Sequence, residues 1–199
     1  MFIASGGHLL TTVAFGRGTR TFVAHGGWVG SWELWQQPME LMQADWRCIA
    51  YDHRGSGAST APPQDVGPLG LVKDLFVTLD HFGVSTCVLA GESMGALTVL
   101  SAALEQPDRF AGLVIVDGVC ETSGIPQDRS AVRDHYADYV TGFVNACVPE
   151  PDSEHIKRWG RQILMRADPE AAARAERLVL WTDTRFAAAS TTKAMTAAA

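Results

Sequence analysis

The chain has 199 residues, 47% of them hydrophobic and 19% charged, with a formal net charge of −6, enough apolar material for the core of one soluble domain. Mild acidity without Lys/Arg clusters argues against a nucleic-acid partner, and no apolar run reaches the length needed to cross a bilayer. Residues 1–7, Met1-Phe2-Ile3-Ala4-Ser5-Gly6-Gly7, have neither a basic start nor a long apolar stretch, so no secretory signal is expected and the expected location is cytoplasmic.

In chain order, residues 8–15 and 20–24 read as strands joined by a tight turn at Gly16-Arg17-Gly18, and a helix follows over about 31–43. Arg47-Cys48-Ile49-Ala50-Tyr51 is a third strand. Leu71, Leu75, Leu79 and Phe82 fall near helical spacing and predict a helix over about 69–82, returning the chain for a strand at 86–90. Another helix begins at Met94, and Pro107-Asp108-Arg109-Phe110 breaks it before Leu113-Val114-Ile115-Val116, a continuous apolar run of the kind buried on both faces of a parallel sheet. Short strands alternating with amphipathic helices imply right-handed βαβ crossovers and an α/β fold, a mostly parallel sheet covered by helices.

Beyond residue 121 strands give way to helices over about 128–147, 153–166 and 169–181, with Asp168 as N-cap, Pro169 at the first helical position and Glu170 in the first turn. The organisation expected is a core over 1–120, a helical cap over 121–186 and an Ala/Thr-rich tail over 187–199, where fraying is expected. Cys48, Cys87, Cys120 and Cys147 form no C-x-x-C pair and read as reduced packing residues.

The chemistry concentrates at Gly91-Glu92-Ser93-Met94-Gly95, directly after the apolar Cys87-Val88-Leu89-Ala90. A strand that turns sharply into a helix needs glycines on both sides of the serine and leaves its hydroxyl exposed, the pattern of a nucleophile elbow. Ser93 is the candidate nucleophile. An oxyanion hole needs backbone N–H groups aimed at developing negative charge. The Met94 amide at a helix N-terminus is one candidate, and the strand end Thr21-Phe22-Val23-Ala24-His25-Gly26-Gly27-Trp28 supplies Gly27 as the second, with Trp28 as the less favoured choice. Asp52-His53-Arg54-Gly55-Ser56-Gly57-Ala58-Ser59 reads as a turn held by hydrogen bonds and charge. Asp117, at the carboxyl end of the 113–116 strand, is a candidate for a pocket residue, for the acid of a triad, or for a structural turn residue.

These residues, in this order, resemble the α/β-hydrolase superfamily, specifically its small esterase-like members with a helical cap. The resemblance spans residues 8 to about 186 and rests on His25-Gly26-Gly27-Trp28, on the 52–59 loop, on the elbow, and on Pro107-Asp108-Arg109-Phe110 leading into 113–117. It implies an eight-stranded sheet, hydrolysis of a small-molecule substrate through an acyl-serine with no cofactor and no metal, and a cap inserted after Asp117. Serine at the elbow is unlike the aspartate of related dehalogenases and epoxide hydrolases.

In that family the acid, a helix, a last strand and a histidine loop follow the nucleophile, together roughly 60–80 residues. This sequence holds no such segment: His8, His25, His53 and His81 precede Ser93, while His135 and His155 lie on the predicted cap helices and read as surface residues. A C-terminally incomplete hydrolase is therefore expected, impaired for want of its base, with the 113–116 strand left without its family neighbour and exposed. His135 or His155 as substitute base is the competing expectation. Tyr136, Tyr139, Phe143, Trp159 and Trp181 are read as cap packing before pocket lining, and Trp28, Trp32 and Met94 favour small apolar esters. Perhydrolysis, C–C bond hydrolysis and cyanohydrin cleavage use the same serine site and remain alternatives, as does a non-catalytic binding module.

Overall fold

The computed structural model describes residues 1–118 and 130–177. Cys120, Trp181, the expected domain boundaries and the 187–199 tail lie outside them. Among the described residues six strands form one mixed sheet: β1 (Phe2–Ser5), β2 (His8–Phe15), β3 (Arg20–His25), β4 (Trp46–Tyr51), β5 (Cys87–Glu92) and β6 (Phe110–Val116), in the order β1-β2-β4-β3-β5-β6. β1 and β2 are antiparallel, β2 joins β4 antiparallel, and β4, β3, β5 and β6 run parallel.

Period-two alternation sorts the central strands onto two faces. Val23, Ile49, Tyr51, Cys87 and Leu89 pack against α2 (Pro68–His81) and α3 (Gly95–Glu105). Phe22, Ala24, Cys48, Ala50 and Ala90 face Trp35 and Met39 of the opposite layer, where α1 (Gln36–Met42) lies. The helices α4 (Ser130–Asp134), α5 (Tyr136–Cys147), α6 (Glu154–Leu164) and α7 (Pro169–Arg177) form a cap whose apolar side, including Val132, Val140, Leu164 and Ala172, closes over Trp28, Val29 and Val66. Asp168 accepts from the Glu170 and Ala171 amides at 2.9 and 3.0 Å, which caps α7 as its sequence requires.

Four elements differ from the sequence reading. β1 was not anticipated; it is only four residues long and turns through Gly6 and Gly7 at φ +56° and +91° to pair with β2. The 31–43 segment is a 3₁₀ turn over Trp32–Trp35 followed by α1, because Ser31 accepts from the Glu33 amide and tightens the start. The 128–147 helix is divided, within the described residues, at His135, whose φ and ψ of −132° and 43° leave the helical region. β6 begins at Phe110 and lacks the burial on both faces that its apolar run suggested: Leu113, Val114, Ile115 and Val116 are 38–43% exposed, as expected of a strand without its family neighbour, and among the described residues only β5 adjoins it.

The 52–59 loop is a structural clamp. Asp52 accepts from the Trp32 and Ala58 amides, both at 2.8 Å. Arg54 donates through Nε (2.8 Å) and Nη2 (2.5 Å) to the fully buried Asp74 of α2, which also accepts from Ser5 Oγ of β1 at 2.7 Å. One carboxylate thus joins the loop, a helix and the edge hairpin.

Candidate active site

β5 ends at Glu92 and α3 starts at Gly95, so Ser93 and Met94 alone make the reversal. Ser93 takes φ +52°, the left-handed region that a side chain with a Cβ rarely enters, and its amide donates to the Val116 carbonyl of β6 at 2.9 Å. A Cβ at Gly95 would stand 2.6 Å from the Gly26 carbonyl oxygen, so only glycine lets α3 start against the His25–Gly26 loop. On the other side, a Cβ at Gly27 would lie 2.9 Å from Ser93 Cβ. The sharp turn therefore presses the serine against the loop that follows β3.

Met94 is the N-cap of α3, where no intrahelical acceptor exists for its N–H and the helix dipole favours negative charge. The Gly27 amide is differently placed: it donates to Glu92 Oε2 at 2.9 Å. The expectation of an open Gly27 donor is thus modified, because the residue just before the nucleophile reaches across and occupies that N–H. Sequence reasoning passed over Glu92, although a carboxylate between strand and serine was visible in the elbow itself. Burial pushes the Glu92 carboxyl above its ordinary value; the Gly27 bond opposes this, the nearby Asp117 adds to it, and His53 offsets it.

Asp117 follows β6 with φ +48° and is exposed. No described residue donates a hydrogen bond to its carboxylate. Burial, followed by the charges of Glu92 and Asp117, pushes the Cys147 thiol up. Cys48 and Cys87 are buried free thiols, the latter pushed up to about 12 by burial, so neither is a poised nucleophile.

Trp28 anchors the cap. Its Nε1 donates to the Ala172 carbonyl at 2.9 Å, and its ring meets Tyr136, Tyr139 and Phe143 edge-on at centroid distances of 6.3, 5.7 and 5.2 Å. Tyr136 in turn donates to the Leu164 carbonyl at 2.6 Å. Trp159 is 41% exposed and among the described residues belongs to no such cluster.

Among the described residues no histidine is hydrogen-bonded to Ser93. His135 and His155 are exposed on the cap, His81 is exposed at the end of α2, and His8 pairs with Asp65 at 3.2 Å. His25 and His53 are buried, with ring centroids 5.2 Å apart; His53 Nδ1 bonds the Arg54 carbonyl and His25 Nδ1 meets Tyr51 Oη. No three His, Cys, Asp or Glu side chains among the described residues are grouped to hold a metal ion, and no described helix is long and apolar enough to cross a membrane.

The strand–elbow–helix unit on a parallel sheet, with a glycine-rich loop against the serine and a helical cap above, defines an α/β hydrolase. A family model described as alpha/beta hydrolase fold matches residues 20–191, and the chain belongs to that family. It is 24% identical over 178 residues to a protein of Petunia hybrida named Karrikin insensitive 2 receptor IA, covering 80% of this chain and 65% of that one. It is 29% identical over 102 residues to the putative carbamate hydrolase RutD of Klebsiella pneumoniae (strain 342), covering 51% of this chain and 38% of the relative. The chain thus spans less than two thirds of the length of these curated relatives. Its fold is shared with the esterase EaEST from Exiguobacterium antarcticum at a TM-score of 0.82 and 16% identity, covering 93% of this chain and 75% of that chain.

Proposed function

We propose that Ser93 is the nucleophile of a hydrolase that cleaves a small, neutral ester-type carbonyl substrate through an acyl-serine. The observation that carries this reading is the left-handed Ser93 at the β5–α3 turn, with the Met94 amide beside it at the N-terminus of α3. Attack by the hydroxyl on the carbonyl carbon forms the tetrahedral oxyanion, which the Met94 N–H and one amide of the Gly27–Trp28 loop receive. Gly27 serves once Glu92 releases it, and Trp28 is the neighbouring choice. The alcohol leaves, and water returns the acid and the free serine. Asp117 is the candidate acid. No described histidine is hydrogen-bonded to Ser93, so the base is external to the described site. The names of the similar hydrolases, a carbamate hydrolase and an esterase, support acyl chemistry.

The test uses a fluorophosphonate probe with peptide mapping. Without a bonded base, Ser93 labels slowly, added imidazole accelerates the labelling, and Ser93→Ala abolishes it. A chain that imidazole leaves unlabelled at Ser93 would overturn the proposal. It would favour the second reading, a small-molecule binding module, which the receptor name of the Petunia relative supports. Strong unassisted esterase turnover lost in Ser93→Ala would instead refute the external base.

A further inference from the structure

Beneath the His25–Trp28 loop, between α2 and α3, a cavity of ≈ 20 Å³ is lined by His25, His53, Leu71, Thr98 and Ser101 among others. Two of these residues bring buried polar atoms that have no partner among the described residues, His25 Nε2 and Ser101 Oγ, and the residues are 1% and 4% exposed. Buried polar groups are normally satisfied, so a space lined by two orphans is a site for a polar guest.

The hydrogen-bonding roles follow from Tyr51. Its hydroxyl lies 2.8 Å from His25 Nδ1, and both residues are buried. With Tyr51 donating, the Nδ1 lone pair accepts and the ring hydrogen sits on Nε2. The opposite tautomer would strand the Tyr51 hydroxyl hydrogen and leave Nε2 as an unfilled acceptor. Burial, then the neighbouring His53, holds His25 well below its ordinary value, in keeping with the neutral ring. Nε2–H is therefore a donor with no acceptor among the described residues. Ser101 Oγ both donates and accepts, and in α3 it has not turned back onto a helix carbonyl.

We propose that this cavity is a single-water site: one buried water accepts from His25 Nε2–H and donates to Ser101 Oγ. The volume is enough for one water, which needs about 10–15 Å³ on this measure. The bridge ties the end of β3 to α3, the two elements that bring the His25–Trp28 loop and the Met94 amide together. It is independent of whether Ser93 is catalytic.

The test is histidine ¹⁵N NMR on the whole chain. His25 is expected as the Nε2–H tautomer, with a protected ring proton showing a cross-relaxation peak to water. Ser101→Val, which fills the cavity, removes that peak, while Ser101→Ala keeps it through His25. An Nδ1–H tautomer in the wild-type chain, or an Nε2–H without contact to water, would overturn the proposal whether or not the variants fold. So would xenon entering the wild-type cavity under pressure, because xenon fills dry apolar cavities and not one holding a bonded water.

Discussion

Replacing Ser93 by glycine should stabilise the chain while removing the proposed nucleophile. Ser93 sits at φ +52°, a conformation that costs a residue with a Cβ about 1–2 kcal/mol. Glycine is free of that cost but loses more conformational freedom on folding, by roughly 0.5–1 kcal/mol. The net gain is about 0.5–1 kcal/mol, or roughly 1–4 °C in Tm for a domain of this size. The Ser93 hydroxyl makes no hydrogen bond among the described residues, so its removal takes nothing away. Ser93→Ala keeps the Cβ and is the control, expected at wild-type stability. Urea unfolding followed by tryptophan fluorescence and by circular dichroism reads both variants. A Ser93→Gly chain no more stable than Ser93→Ala would refute the idea that the elbow stores backbone strain.

Asp74→Ala removes the acceptor of Arg54 and of Ser5 Oγ and leaves a buried guanidinium unpaired. Equilibrium unfolding should show a loss of about 3–5 kcal/mol, and a loss under about 1 kcal/mol would contradict the clamp. Trp28→Ala should cost about 3–5 kcal/mol through lost packing under the cap. Trp28→Phe keeps most of the ring contacts and should cost only about 0.5–1.5 kcal/mol for the bond to the Ala172 carbonyl; equal losses would mean that the indole N–H, not packing, carries the contact. Glu92 has a raised carboxyl pKa in the folded chain, so the folded state holds its proton more tightly than the unfolded one. Its contribution to stability is full below the ordinary carboxylate value and falls as pH rises through the raised one. Glu92→Gln should remove that fall from the stability–pH profile, and superimposable profiles for wild type and variant would refute it.

Much of the fold was legible because local and tertiary signals agree. The 20–24, 47–51 and 86–90 runs alternate between two covered faces, and Asp168-Pro169-Glu170 caps α7 as its residue types demand. β1 was not legible: four residues carry too little pattern, and their strand exists because β2 pairs with them and Asp74 anchors Ser5. The break at His135 likewise has no proline or glycine to announce it. At the site, Ser93 and the flanking glycines were readable because a close backbone approach permits few residue types. Glu92 was not, since its role depends on a loop 65 residues away in sequence meeting it in space.

That contact bears on substrate charge. A carboxylate already lies on the Gly27 amide, beside the serine, and the exposed Asp117 adds a second negative charge close enough to raise the Glu92 pKa. If Ser93 acts as proposed, an oxyanion formed on it must either displace the carboxylate from Gly27 or settle between the Met94 and Trp28 amides. An anionic substrate would meet the same two charges before any bond forms, whereas a neutral carbonyl develops its charge only in the transition state, where amide donors act most strongly. The apolar ring cluster on Trp28 adds no cation to offset them. On the proposed reading, selectivity for neutral esters therefore originates in Glu92 and Asp117, within the elbow's own neighbourhood, and not in Tyr136, Tyr139 and Phe143, whose rings are engaged against Trp28.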